Sequence, residues 1–347
     1  MTRGLRRMLL VVLVGCGALA GAAWLAVQSL DEPLRVGSSA VRFKVPAGAS
    51  FWHVAADLHA RGILPSPRVW AWYARREGEA AAIKAGEYQL DPGMTPRELL
   101  GKMVRGEVVF HTFTIVDGWR AEDMLEALWH NPDVVHTLAA TSKLGLMQAL
   151  GEAPGPAEGQ FLPETYRFES DTTDVELLRR AHQGLVQELA TDWLARDPDN
   201  PLKSPEELLI MASIVEKETA NPAELARIAG LYLHRLSIGM RLQADPTVIY
   251  GLGDDYDGTL HSVDLHTDGP YNTYTRTGLP PTPIALPGAA AIRATANPQQ
   301  TDALYFVASD LDDGTHVFSA TLAQQNAAVA RYVAHQRAKA AAAGRSP

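Results

Sequence analysis

Glu216 and Glu218 stand two residues apart at the end of the string Pro205-Glu206-Glu207-Leu208-Leu209-Ile210-Met211-Ala212-Ser213-Ile214-Val215-Glu216-Lys217-Glu218-Thr219. A carboxylate carried just past an apolar run such as Leu208 to Val215 is expected to be desolvated. A desolvated carboxyl keeps its proton to higher pH and can donate it near neutrality, which is general-acid chemistry. Side chains two apart on a helix point roughly 200° apart, so the two glutamates do not face one cleft. Glu218 shares its stripe with Met211, Ile214 and Val215, whereas Glu216 shares a smaller, more polar one with Leu209, Ala212 and Ser213. Glu218 is therefore the expected buried acid. Glu216 is expected to cap, to pair with a base or to hold a neighbouring loop. The purely structural alternative is an ion pair of Glu218 with Arg227 or Arg241.

Downstream, the segments Leu242 to Gly251 and Tyr271 to Ile284 bring amides, hydroxyls and aromatic rings in quick succession. Sugars present hydroxyls and apolar ring faces, and Tyr250, Tyr271 and Tyr274 among few charges match both. The prolines from Pro280 to Pro283 fix φ and stiffen the loop. One proton-donating acid beside such a groove suggests cleavage of a glycosidic bond.

The elements that must position these residues are legible in outline. Ser204 as N-cap, Pro205 at the first position and Glu207 at the third form a strong helix start. Asn221-Pro222-Ala223-Glu224 repeats that device, so two helices abut and Glu218 closes the first. The negative end of the helix dipole then raises its pKa further. Asp174 is read as the cap of a long amphipathic helix to about Arg196, with residues 197–203 as a loop. After Gly239 the chain reads as extended, through Leu242 to Tyr250. Leu304 to Ser309 and His316 to Ser319 flank Asp312-Asp313-Gly314 as a hairpin. Thr321 caps a last helix that decays into an Ala-rich tail.

Nearer the N-terminus a weak repeat joins an alternating strand, a glycine turn and an amphipathic helix three times. Val41 to Gly48 leads into Phe51 to Ala60. Tyr88 to Gly93 leads into Thr95 to Val104, with Thr95 and Glu98 as a capping box. Phe113 to Gly118 leads into Ala121 to Trp129. These βα units resemble LysM-type modules that grip aminosugar chains; the alternative is a small α+β domain that only spaces the remainder from the membrane.

Composition bounds the compartment and the partners. At 347 residues the chain has room for two or three domains. Its formal charge of −9 and its lack of a long basic run disfavour nucleic acid as a partner. Met8 to Val27 carries no charge and is about long enough to span a bilayer. Arg3, Arg6 and Arg7 precede it, which leaves the N-terminus in the cytoplasm and everything after Gln28 outside. Leu13-Val14-Gly15-Cys16 looks like a lipobox, and a cleaved signal peptide is the third option. The apolar run that continues past Cys16 favours the uncleaved anchor. Cys16 is the only cysteine, so the exported part holds no disulfide. The 11 histidines show no paired ligand spacing such as His-Glu-x-x-His, and no Gly-x-Ser-x-Gly elbow occurs. No metal or other cofactor is expected.

The strings Met211 to Ala220, Arg241 to Gly251, Tyr271 to Pro287, Gly159 to Tyr166 and Leu304 to Ala308 occur in an order that resembles the endolytic murein transglycosylase (MltG/YceG-like) family. The resemblance extends over most of the chain. It implies endolytic cleavage of nascent peptidoglycan glycan strands between N-acetylmuramic acid and N-acetylglucosamine, leaving 1,6-anhydromuramyl ends and terminating strand elongation. It places the catalytic role on Glu218, the second glutamate of Glu-Lys-Glu, in agreement with the helical wheel. Glu164, Tyr166, Arg241, Gln243, Asp245, Tyr271, Asn272 and Tyr274 are the expected substrate-binding residues. Glu164, Asp245 and Glu216 remain as second acids for a hydrolase. The implied setting is a single-pass protein of the bacterial inner membrane, its catalytic domain periplasmic or otherwise extracytoplasmic, with peptidoglycan synthases (penicillin-binding proteins) as partners. The alternatives are a two-carboxylate muramidase and a non-catalytic peptidoglycan-binding scaffold.

The expected fold class is α+β. Residues 1–7 form a cytoplasmic N-terminus, 8–28 a transmembrane anchor and 29–40 a linker. A small LysM-like α+β domain follows at 41–110, a larger mixed α+β catalytic domain at 111–335 and a disordered tail at 336–347.

Overall fold

The computed structural model describes residues 13–14, 16–18, 21, 24–138, 145–342 and 344. The chain is α+β and divides into two compact units: residues 1–111 with 167–171, and residues 112–166 with 172–347. The first unit thus includes a returning segment that a linear division at residue 110 does not contain. Much of the expected anchor at 8–28, and all of 1–7 with Arg3, Arg6 and Arg7, lies outside the described residues. Among the described residues, no helix is long and apolar enough to cross a membrane. Cys16 is exposed.

In the first unit, β1 (Val41–Val45) pairs antiparallel with β2 (Gly86–Leu90), Phe43 opposite Tyr88. The period of two turns Phe43, Val45, Tyr88 and Leu90 onto one buried face. Helices α1 (Phe51–Ala60), α2 (Pro67–Arg76) and α3 (Pro96–Arg105) supply the rest of that core through Leu58, Trp70, Leu99 and Met103. Its two buried polar handles are satisfied: Trp70 Nε1 donates to the Pro96 carbonyl at 2.8 Å and the Tyr88 hydroxyl to that of Lys84 at 2.8 Å. Thr95 and Glu98 form the expected capping box on α3. The expected linker at 29–40 is instead packed down. Leu30, Leu34 and Val36 join the core, and Leu34 N–H donates to the Met94 carbonyl at 2.7 Å. Three large apolar side chains in so short a stretch gain more by burial than a solvated linker allows.

The second unit holds α4 (Ala121–Trp129), α5 (Leu146–Ala149), α6 (Asp174–Leu194), α7 (Pro205–Glu218), α8 (Leu225–Ser237), α9 (Asp245–Leu252), α10 (Ser262–His266), α11 (Ala289–Ala296) and α12 (Leu322–Ala342). Strands β3 (Phe110–Thr114) and β4 (Thr165–Glu169) pair with each other. The expected hairpin is present as β5 (Tyr305–Ala308) and β6 (His316–Ser319), antiparallel with Phe306 opposite Phe318.

Helix α7 is the axis of this unit, packed by α6, α8, α9 and α11. That enclosure explains why every residue from Leu208 to Val215 is buried, not one stripe only. Ser204 caps it by accepting from Glu207 N–H at 3.1 Å. Four local expectations are corrected. Thr173, not Asp174, caps α6, with Glu176 completing a capping box. The Asp174 carboxylate is buried and instead accepts from the amides of Thr137, Leu138 and Val175. Helix α8 starts at Leu225, because Asn221 spends its side chain on a turn, accepting from Ala223 N–H at 3.1 Å. The stretch Asp245 to Leu252 is helical, not extended: an early proline with its fixed φ outweighs the strand preference of Thr247, Val248 and Ile249. Finally, α12 continues through the expected tail to Ala342, alanine being the strongest helix former.

Candidate active site

Glu218 is the last residue of α7, and the extended backbone of Thr219 ends the helix there. It borders a cleft of about 670 Å³ whose other walls include Asp117, Pro163, Glu216, Leu225 and Ala289. The residue keeps some surface toward that cleft, yet protein surrounds its carboxyl densely. Burial pushes its pKa up from 4.5 to about 7, helped by the charge of Asp245 and opposed by a hydrogen bond from Tyr232 and by Arg235. Such a group is protonated in a large fraction of molecules at neutrality. The suspected ion pairs are not made. Arg227 lies over the Phe318 ring at 4.1 Å, and Arg241 donates to the Tyr274 carbonyl at 3.0 Å.

The hydroxyl of Tyr232, on α8, donates to Glu218 Oε1. Tyr232 is itself buried, edge-on to Phe306 of β5 at 6.1 Å, so the donor cannot swing away. One turn further along α8, buried Arg235 donates to the carbonyls of Leu304 and Leu242. Its guanidinium thereby ties the hairpin and the chain leaving α8 to the helix that orients the acid.

Against the expectation from the wheel, Glu216 lines the same cleft as Glu218, while its Oε2 accepts from Gly288 N–H at 3.0 Å and holds the start of α11. Burial raises its pKa, with Asp117 adding to the effect. Lys217 reaches back to the Gly118 carbonyl at 3.1 Å. A second clamp lies deeper: Ser213 Oγ, fully buried in α7, accepts from Ile284 N–H at 3.0 Å and donates to the Ile210 carbonyl. The proline-rich segment is thus pinned to the helix that carries the acid.

The sequence-predicted binding residues separate into two groups. Asp245, at the start of α9, accepts from the Tyr274 hydroxyl and acts on the charge of Glu218, so both belong to the neighbourhood of the acid. Arg241 and Gln243 are exposed on the segment leading to α9. Gln243 holds a left-handed φ of 52°, fixed by its amide donating to the Thr273 carbonyl at 3.2 Å. Tyr271 is half-buried, bonded to Thr282 at 2.8 Å and edge-on to Tyr250 at 4.9 Å. Glu164 is exposed, next to the Pro163 that lines the cleft.

Two residues are placed elsewhere. Asn272 is buried, and its amide donates to the Asp264 and Thr267 carbonyls while its oxygen accepts from Tyr274 N–H. Its hydrogen-bonding capacity is spent on shaping the loop. Tyr166 is buried too, its hydroxyl donating to the Leu162 carbonyl at 2.7 Å. Neither presents a free polar group to a ligand.

Sequence reasoning missed Tyr232, Arg235 and Asp117. The available signal was a phenol and a guanidinium inside the apolar string Ile228 to Leu236, where burial requires a partner. Among the described residues, no group of three or more His, Cys, Asp or Glu is arranged to hold a metal ion.

A helix-end carboxyl desolvated to a pKa near neutrality, lining an open cleft together with Glu216 and Asp117, defines a general-acid site within an α+β framework. Residues 43–331 match the YceG-like family. The chain is 30% identical over 339 residues to an endolytic murein transglycosylase of Bacillus subtilis, with 92% of each chain covered. It is 26% identical to one of Streptococcus pneumoniae, over 88% of this chain and 61% of that longer protein. A crystal structure of a protein described as YceG-like from Listeria monocytogenes superposes with a TM-score of 0.53 at 26% identity, over 84% of this chain and 99% of that one. The chain belongs to the YceG-like family.

Proposed function

We propose that this protein is a peptidoglycan lytic transglycosylase that cuts glycan strands internally, between N-acetylmuramic acid and N-acetylglucosamine, with Glu218 as its catalytic group. The observation that carries the reading is the carboxyl with a pKa of about 7, open to a cleft and held by Tyr232. The names of the Bacillus and Streptococcus relatives support the same activity.

In the proposed reaction, protonated Glu218 donates to the glycosidic oxygen as the bond from the muramyl anomeric carbon breaks, giving an oxocarbenium-like state. The muramyl 6-hydroxyl then attacks that carbon and the Glu218 carboxylate takes its proton. A 1,6-anhydro ring closes, the acid is restored and no water is consumed. A pKa near 7 suits one group that must act as acid and then as base. Asp245 keeps the proton on Glu218 before bond cleavage by disfavouring its charged form. Tyr232 stabilises the carboxylate that appears after it. Gln243, Tyr274 and the exposed Arg241 orient the sugars in this reading, and Glu164 and Tyr271 bind further along the strand.

The order β1, α1, α2, β2, with β1 and β2 paired, supports a LysM-like reading of residues 41–110, which would bind glycan. The apolar segment at 8–28 supports attachment to the inner membrane with the catalytic unit outside the cytoplasm. There the enzyme would end the growth of nascent strands beside the penicillin-binding proteins that make them. Mass spectrometry of products from purified glycan strands tests the reaction. Anhydro ends, lighter by one water than hydrolytic ends, are expected; reducing ends would make the protein a muramidase.

A further inference from the structure

A second cavity of the catalytic unit, about 450 Å³, lies between α4 and α9 and is not used by the chemistry above. Its volume falls within the roughly 300–1,000 Å³ of small-molecule sites. Ala121 and Leu125 of α4, with Pro156 and Ala157, form apolar walls, and the rings of Tyr250 and Tyr271 line it as well. Its charged groups are Arg120, Glu122, Glu158 and Asp254, the last exposed at the rim. Glu158 is 8% exposed, and its carboxylate accepts from Ala121 N–H at 3.0 Å and from the Tyr250 hydroxyl. The Arg120 guanidinium lies over the Tyr250 ring at 5.2 Å and has Glu122 at 3.6 Å. Its charge is already met, so the cavity does not call for an anion. Aromatic faces with a few anchored hydrogen-bonding groups suit a neutral, hydroxyl-bearing ring.

Two connections tie this cavity to the acid. Helix α9 begins at Asp245, which acts on Glu218, and carries Tyr250 five residues later, about 7.5 Å along its axis. The loop before α4 borders both spaces: Asp117 and Gly118 line the cleft of Glu218, and Arg120, the N-cap of α4, lines the second cavity.

We propose that the second cavity is a saccharide subsite, taking an N-acetylated hexose ring of the same strand a short way along from the bond that Glu218 breaks. This rests on the reading of the protein as a glycan-cleaving enzyme. Its consequence is positional: the ring held by Tyr250 and Tyr271 sets where along a strand the cut falls.

The test uses the full chain acting on peptide-free glycan strands. Leu125→Trp fills the cavity without touching the hydrogen bonds of Glu158, and Tyr250→Ala removes one wall; thermal melting checks that each variant folds. Leu125→Trp is expected to raise KM about tenfold with a much smaller change in kcat, the signature of lost uniform binding, and to shift the product-length distribution. Should it fail to fold, Leu125→Phe and Tyr250→Ala carry the same comparison. Folded variants with unchanged KM and product lengths overturn the subsite while the assignment of Glu218 stands. A rise in KM confined to peptide-bearing strands overturns it in favour of a peptide pocket. If the parent chain releases nothing from any strand, the glycan-cleaving reading fails and the subsite with it.

Discussion

Tyr232 and Glu218 meet across the break between α7 and α8, the phenol donating to the carboxylate although 14 residues separate them. The bond opposes the effect of burial, so it tunes the acid downward. Tyr232→Phe should therefore raise the pKa of Glu218 above about 7, moving the alkaline fall in kcat/KM on glycan strands to higher pH by roughly one unit. A profile that stays in place would show that this bond does not set the proton affinity of the acid.

The same shift has a cost in stability, and its sign is fixed. A carboxyl whose pKa rises on folding from 4.5 to about 7 binds more protons folded than unfolded between those values. Stability from this group therefore falls as pH rises through that window, by on the order of 3 kcal/mol at pH 8. Glu218→Gln, which cannot ionise, should melt well above the parent at pH 8 and close to it at pH 4.5. Calorimetry at the two pH values checks this; an equal gap at both would contradict it.

Ser213→Ala should cost about 1–3 kcal/mol, because it orphans the buried Ile284 N–H inside the unit. The loss of that clamp also frees the proline-rich segment from α7. Denaturant unfolding gives the first effect and strand-cleavage rate the second, which should fall with it.

Gly230→Ala should destabilise by about 1–3 kcal/mol through overpacking. A Cβ there would stand 2.1 Å from the carbonyl oxygen of Gln299, a backbone atom that cannot rotate away. Since Gln299 N–H also donates to the Ala226 carbonyl of α8, strain at this contact reaches the helix that carries Tyr232. A thermal midpoint lowered by several degrees, with the residual activity following the folded fraction, is the expected result.

What the sequence made legible was local. Ser204-Pro205, the capping box at Thr95 and the Asp-Asp-Gly turn act within a few residues, so chain order reveals them. The burial of Glu218 was legible too, because an apolar run needs enclosure wherever it packs. The stretch through Leu242 to Tyr250 reads as extended because Val248 and Ile249 favour strands, whereas Pro246 in the first turn helps start a helix at Asp245. Polar composition could not separate Asn272, which faces inward to hold a loop, from Tyr274, which bonds Asp245 near the acid. Tyr232 and Arg235 escaped because their partners lie on other elements, and helix packing, not spacing, brings them together.

The central claim is that one carboxyl carries the reaction, and the rate of glycan-strand cleavage by Glu218→Gln tests it most directly. With the fold verified by its melting curve, the rate should fall by a factor of about 100 to 10,000, the contribution of a positioned acid–base group. A folded Glu218→Gln protein that cuts strands at close to the parent rate would contradict the account.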